Sequence, residues 1–123
     1  MKFDSLSNRV IGCALEVHKQ LGPGLLENTY KQCIAYELSQ VGVEFQIEVN
    51  LPVNYKKVHV SCGYRIDLLI EDKIILELKC VDKFLPIHEA QILTYMKLSG
   101  VKIGLLINFN AKYLRNGIKR FVI

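Results

Sequence analysis

No apolar run in this 123-residue sequence approaches the ~20 residues that a membrane-crossing helix needs. The opening stretch, MKFDSLSNRV, carries early charge but no apolar signal core followed by a small-residue cleavage site. A cytoplasmic protein with no membrane association is therefore expected. The four cysteines, at 13, 33, 62 and 80, include no C-x-x-C pair. Zinc knuckles depend on such spacing, so a structural zinc protein is disfavoured and reduced thiols are expected. Internal repeats, low-complexity segments and linkers are all missing, which implies one domain over 1–123, long enough to bury a core. A strong charge excess is missing too. Sixteen Lys and Arg against twelve Asp and Glu give a net charge of +4. That tolerates a polyanionic partner without being a nucleic-acid footprint by itself. The basic residues between Lys112 and Arg120 read as a solvated face.

Half of the residues are hydrophobic and 23% are charged, a globular balance. The periodicity predicts a first helix from about Ser5 or Ser7 to Gln20, capped by Asp4, Ser5 or Ser7, with Val10, Cys13, Ala14, Val17 and Leu21 on one stripe. His18 falls at the edge of that stripe. Leu21-Gly22-Pro23-Gly24 stops the helix. A second helix is predicted from about Leu26 to Gln40, with a stripe of Leu26, Tyr30, Cys33, Ile34, Leu38 and Val41. Glu27 falls between Ile34 and Leu38 on the helical wheel and is expected to face inward, although a first-turn acid also suits the helix dipole. Glu37 shares the stripe but lies about 15 Å further along the axis, so the two acids cannot serve one metal. From Glu44 the period becomes two, through Phe45, Ile47, Val49 and Leu51, and Pro52 makes this an edge strand or a bend. Val58 and Val60 alternate likewise. A third helix runs from about Pro86 to Ser99, where Gly100 ends it. It is apolar nearly all round, so burial on more than one side is expected. Gln91 sits within its Ile87, Thr94 and Leu98 face, flanked by Tyr95 and His88. Ile103–Asn108 reads as a buried strand and Ile118–Ile123 as a weaker one.

Two apolar runs within Tyr64–Lys79, YRIDLLIEDKIILELK, flank a turn at Glu71-Asp72-Lys73. Charge interrupts both runs, at Asp67 and at Glu77-Leu78-Lys79. A carboxylate costs several kcal/mol to bury unless it is paired, protonated or metal-bound. If the runs pair antiparallel about Asp72, Asp67 and Glu77 face each other with Cβ atoms ~4.5–5.5 Å apart. Mg²⁺ holds its oxygen ligands at ~2.0–2.1 Å, so one ion suits such a pair. Lys79 follows ~6.7 Å along the strand on the Glu77 face, near enough to touch a water or phosphate, while Leu78 points into the core. Two acids, a neighbouring cation and a candidate third acid in Glu27 suit metal-assisted phosphodiester hydrolysis. A surface salt bridge would be the plainer explanation of any one of these charges alone, but all three at matching parity favour a site.

These residues resemble the PD-(D/E)XK nuclease superfamily, whose motif is an Asp, a hairpin-scale gap and Glu-x-Lys. Gly24-Leu25-Leu26-Glu27-Asn28-Thr29-Tyr30 further resembles the GxxExxY family within it, and EVHKQLGPGLLENTY, YRIDLLI, ILELK, HEAQILTYMKLSG and GLLINFN extend the likeness along most of the chain. Ile66 stands where the motif's name has Pro. The resemblance implies an α/β (α+β) restriction-endonuclease-like core, a mixed central sheet flanked by helices. It implies Asp67 and Glu77 as metal ligands, Glu27 as the acid of the first core helix, Lys79 as the catalytic lysine, and Gln91 and Tyr95 as a Q-x-x-x-Y pair at the site. The expected activity is Mg²⁺-dependent nuclease action, Mn²⁺ being an alternative, with DNA as the partner and a homodimer as the economical way to cut two strands. The competing expectation is a non-catalytic nucleic-acid- or protein-binding module on the same fold.

Overall fold

The computed structural model describes residues 3–123. Three helices, α1 (Ser5–Leu21), α2 (Glu27–Gln40) and α3 (Pro86–Ser99), accompany strands β1 (Phe45–Asn50), β2 (Val53–Tyr55), β3 (Val58–Val60), β4 (Arg65–Ile70), β5 (Ile74–Lys79), β6 (Ile103–Asn108) and β7 (Ile118–Val122). Asp4 caps α1. Its carboxylate accepts from the Ser7 backbone N–H at 2.9 Å and from the Ser7 hydroxyl. Arg120 of β7 donates to the same carboxylate at 2.8 Å. These bonds, the Ser7 hydroxyl foremost, hold the Asp4 carboxyl down at about 2. Gly22, at φ 69°, ends α1 in a backbone conformation that other residues resist.

Five strands form a mixed sheet in the order β1-β4-β5-β6-β7, and β2 and β3 make a separate hairpin. The pairs β1–β4, β4–β5 and β6–β7 are antiparallel. The β5–β6 pair is parallel, which requires a crossover, and α3 supplies it. The edge position expected of the strand before Pro52 holds, since β1 ends the sheet. Helices α1 and α2 cover one face, where Val10, Ala14, Tyr30, Ile34 and Leu38 pack on Leu68, Leu76, Leu78 and Leu105. Helix α3 covers the other, with Ile92, Tyr95 and Met96 on Ile75 and Leu106. Gly104 makes this approach possible, because a Cβ there would lie 2.6 Å from the Met96 sulfur. The sheet thus carries a separate apolar layer on each side. The helix-flanked mixed sheet is the restriction-endonuclease-like architecture expected.

Two helices differ from expectation. Helix α3 buries one side only. Ile87 is 68% exposed and Leu98 is also exposed, so its apolar residues partly face solvent. The buried face of α2 is turned from the predicted stripe. Leu26 and Val41 are exposed, while Lys31 and Ala35 are buried beside Tyr30, Ile34 and Leu38. The reason is electrostatic, since Lys31 is drawn in by carboxylates of the sheet.

Candidate active site

The ladder between β4 and β5 stops at Leu68↔Leu76. One step further the same register places Asp67 opposite Glu77, but no pair of main-chain bonds joins them there. Each carboxylate instead reaches across the opening. The Asp67 backbone N–H donates to Glu77 Oε2 at 2.7 Å, and the Leu78 backbone N–H donates to Asp67 Oδ2 at 2.9 Å. Beyond this point β5 keeps pairing with β6 through Lys79↔Asn108, and β4 keeps pairing with β1 through Asn50↔Arg65. The two acids therefore sit where the sheet divides.

The division has a second mark on the β1 side. Glu48, which the register places opposite Asp67, has φ 53°, an uncommon conformation for a non-glycine residue inside a strand. The strands change faces there. Phe45, Ile47, Leu68 and Ile70 belong to the α1–α2 layer, whereas Val49, Leu51 and Ile66 belong to the α3 layer. Strict alternation would have kept each set on one side. Sparsely populated backbone conformations of this kind gather at functional sites.

Glu77 is 3% exposed. Burial first, and the neighbouring Asp67 charge second, push its carboxyl up to about 8, against the opposing pull of the Asp67 N–H, Lys79 and Lys31. Lys31 of α2 approaches Asp67 Oδ1 at 3.3 Å and Glu48 Oε1 at 3.4 Å. Burial works against the Lys31 charge, but Asp67 and Glu48 outweigh it and hold its pKa above the ordinary value. Lys79 lies on the α3 side. Its ammonium donates to Gln91 Oε1 at 2.9 Å, and Gln91 Nε2 donates to the Tyr95 hydroxyl at 3.2 Å. The Gln91 amide is thereby oriented with its oxygen towards the lysine. Burial raises the Tyr95 phenol above its ordinary value, the Gln91 bond opposing.

Of the six residues expected at the site, five form two hydrogen-bonded sets that meet on β5, Asp67 with Glu77 and Lys79 with Gln91 and Tyr95. The sixth, Glu27, corrects the inward-facing expectation. It is exposed in the first turn of α2, and its charge is felt by Cys80, whose thiol is raised by burial first and by Glu27 second. Glu27 shares a helix side with the buried Lys31 one turn later, so its exposure comes from its place as the first residue of α2 and not from the turn of the helix. Among the described residues no group of three or more His, Cys, Asp or Glu stands ready to hold a metal ion. Tyr30, the last residue of the Gly24–Tyr30 segment, has a bracing role. Its hydroxyl donates to the Gly22 carbonyl at 2.6 Å and accepts from the Leu25 N–H at 3.1 Å, and its ring stacks on Phe109 at 4.4 Å.

Sequence reasoning missed Lys31, Glu48 and Asn108. Lys31 had one available signal, its position one turn after a first-turn acid. Asn108, buried at the end of β6, accepts from the Val81 N–H at 3.1 Å and donates to the Val81 carbonyl at 2.7 Å, so it pins the chain just after Lys79. Its place at the end of a buried apolar strand was the only hint.

The donor set is compatible with a divalent cation. Two carboxylates, one strongly disfavoured as an anion, form a hard oxygen site whose charge a cation would neutralise. Mg²⁺ commonly binds through one or two carboxylates with water or phosphate oxygens completing the shell. A family model described as the PD-(D/E)XK nuclease superfamily matches residues 4–121. No curated protein and no solved structure matches the chain.

Proposed function

This chain belongs to the PD-(D/E)XK nuclease superfamily, and from that premise we propose that it is a Mg²⁺-dependent nuclease whose active site is Asp67, Glu77 and Lys79. The superfamily implies a nucleic-acid substrate, and its nucleases generally use divalent metals. DNA as that substrate, Mg²⁺ with Mn²⁺ as a substitute, a homodimer and a cytoplasmic location belong to the proposal. So does membership of the GxxExxY family, supported by Gly24–Tyr30. The observation that carries the reading is the crossed pair of carboxylates at the dividing point of the sheet, with an oriented lysine beside it.

Asp67 and Glu77 would hold the cation, and Glu27, at the rim, would reach it only through water. The bound ion would acidify a water and neutralise charge on the phosphoryl oxygens. Lys79, held by Gln91, is placed to bind a phosphate oxygen or to orient the attacking water, and a fixed donor is worth more than a mobile one. Tyr95 keeps Gln91 in register and is a positioning residue.

The test is cleavage of single-stranded, duplex and branched oligonucleotides with Mg²⁺ or Mn²⁺. Glu77→Ala and Lys79→Ala are expected to lower the rate by about 10²–10⁴-fold while leaving the circular dichroism spectrum unchanged. Absence of cleavage of every substrate with both metals would refute the nuclease. The second reading, a non-catalytic binding module, draws on Lys31, which stands against Asp67 where a metal-loaded site needs a free oxygen. It requires nucleic-acid binding that is indifferent to metal and to the Lys79 substitution.

A further inference from the structure

A groove of about 360 Å³ adjoins the Lys79 side of the site, lined by Val53, Tyr64, Ile87, Gln91, Tyr95 and Leu98. It shares Gln91 and Tyr95 with the hydrogen-bonded set that holds Lys79. The lining contains no charged side chain. A phosphate would find no cation there, whereas the face of a base would find apolar and aromatic surface. Tyr64 is 48% exposed and meets the Tyr95 ring edge-on, with centroids 6.3 Å apart. It also lines a second groove of about 300 Å³, with Asn50, His59 and Ser61 on that side. The Tyr64 ring thus stands as a partition between an apolar and a polar recess.

Cationic side chains lie outside the groove's lining, on the hairpin that contributes Val53 to it. Val53 begins the β2–β3 hairpin, whose turn carries exposed Lys56 and Lys57. Neither lysine is in an ion pair among the described residues. An uncharged aromatic recess with cations beyond it matches the chemistry of single-stranded nucleic acid, in which bases stack on aromatic rings while the backbone follows positive charge. A duplex keeps its base faces stacked inside and would leave the apolar surface wet.

We propose that the Tyr64–Tyr95 groove receives an unpaired base next to the scissile phosphate, so that the substrate is single-stranded nucleic acid or the single-stranded arm of a junction. This rests on the nuclease reading for the position of the phosphate, but base binding can be measured without turnover. Fluorescence anisotropy in EDTA compares a short single-stranded oligodeoxynucleotide, its oligoribonucleotide counterpart and a blunt duplex. The single strands should bind more tightly than the duplex. Tyr64→Ala should weaken single-strand binding about tenfold, in the range of one lost base stack, and Tyr64→Phe should restore it. Ile87→Glu, which puts a carboxylate into the groove, should weaken it as well.

Equal affinity for duplex and single strand, with no effect of Tyr64→Ala or Ile87→Glu, would overturn the proposal. So would a dimer by light scattering that Ile87→Glu dissociates, because the groove would then be covered by a second copy of the chain. Duplex cleavage indifferent to Tyr64→Ala would remove the base-binding role and leave the nuclease standing. Tyr64-dependent single-strand binding without cleavage under any metal would do the reverse.

Discussion

Glu77 is costly as an anion and would be affordable beside a cation. Its carboxyl is raised to about 8 in the folded chain from an ordinary 4.5, so the folded state keeps this proton over a range in which the unfolded state has lost it. Its contribution to stability is complete below pH 4.5 and falls away as pH rises towards 8. Thermal unfolding in EDTA should therefore show the melting temperature of wild type falling across this window relative to Glu77→Gln, which keeps the shape and cannot ionise. Excess Mg²⁺ at the upper end should raise the wild-type value and leave Glu77→Gln nearly unmoved. Lys31 stabilises the site as a charged group. With only 9% of its surface exposed, it is the nearest positive charge to Asp67 and Glu48. Lys31→Ala is expected to cost about 2–3 kcal/mol without metal, the usual loss for a hydrogen-bonded charge. In saturating Mg²⁺ the loss should be smaller, and parallel denaturant titrations would measure both.

At the scale of elements, β5 does most to place the site, since both hydrogen-bonded sets meet on it. Its C-terminal end is fixed from β6 by Asn108, and the missing side chain of Gly117 leaves room for the Asn108 main chain. A Cβ at Gly117 would lie 2.7 Å from the Asn108 carbonyl oxygen and 3.0 Å from the Ala111 Cβ. Backbone cannot swing aside as a side chain can. Gly117→Ala is therefore expected to cost about 1–3 kcal/mol, as overpacked substitutions do, and to slow cleavage by disturbing the chain after Lys79. Thermal denaturation and a rate measurement would check the two effects. The same scale separates what the sequence could disclose from what it could not. The three helices, the edge position of β1 and the Asp67–Glu77 register follow from periodicity and stop signals, which are local. The turned face of α2 does not, because a lysine is drawn inward only by acids that arrive from β1 and β4. The left-handed Glu48 gave no sign either, since glutamate has no preference for that conformation. The all-round apolarity of α3 was visible, but the open groove beside it depends on where Tyr64 and the β2–β3 hairpin come to lie.

For the whole molecule, the sheet is a wall between two apolar layers, and groups from both sides meet at its charged opening. Lys31 enters from the α1–α2 side, and Lys79 with Gln91 from the α3 side. With a net charge of +4, attraction to a polyanion is moderate. Single-strand binding should weaken with salt along a log–log slope of about −2 to −3, equivalent to three or four neutralised phosphates. Lys56→Ala combined with Lys57→Ala should make that slope shallower without altering the effect of Tyr64→Ala. Titrations over a range of sodium chloride concentrations would separate the charged and the stacking contributions.

The crossed carboxylates have a spectroscopic consequence. The amide protons of Asp67 and Leu78 each point at the side chain of the opposite strand instead of a main-chain carbonyl. Their chemical shifts are thus tied to the protonation of Glu77 and to the orientation of both carboxylates. Two backbone signals in a proton–nitrogen correlation spectrum become built-in reporters of the site. The Asp67 signal should move as Glu77 gains a proton, and both should move as the carboxylates turn to bind a cation, while their neighbours Leu68 and Leu76, paired in the ordinary ladder, stay still.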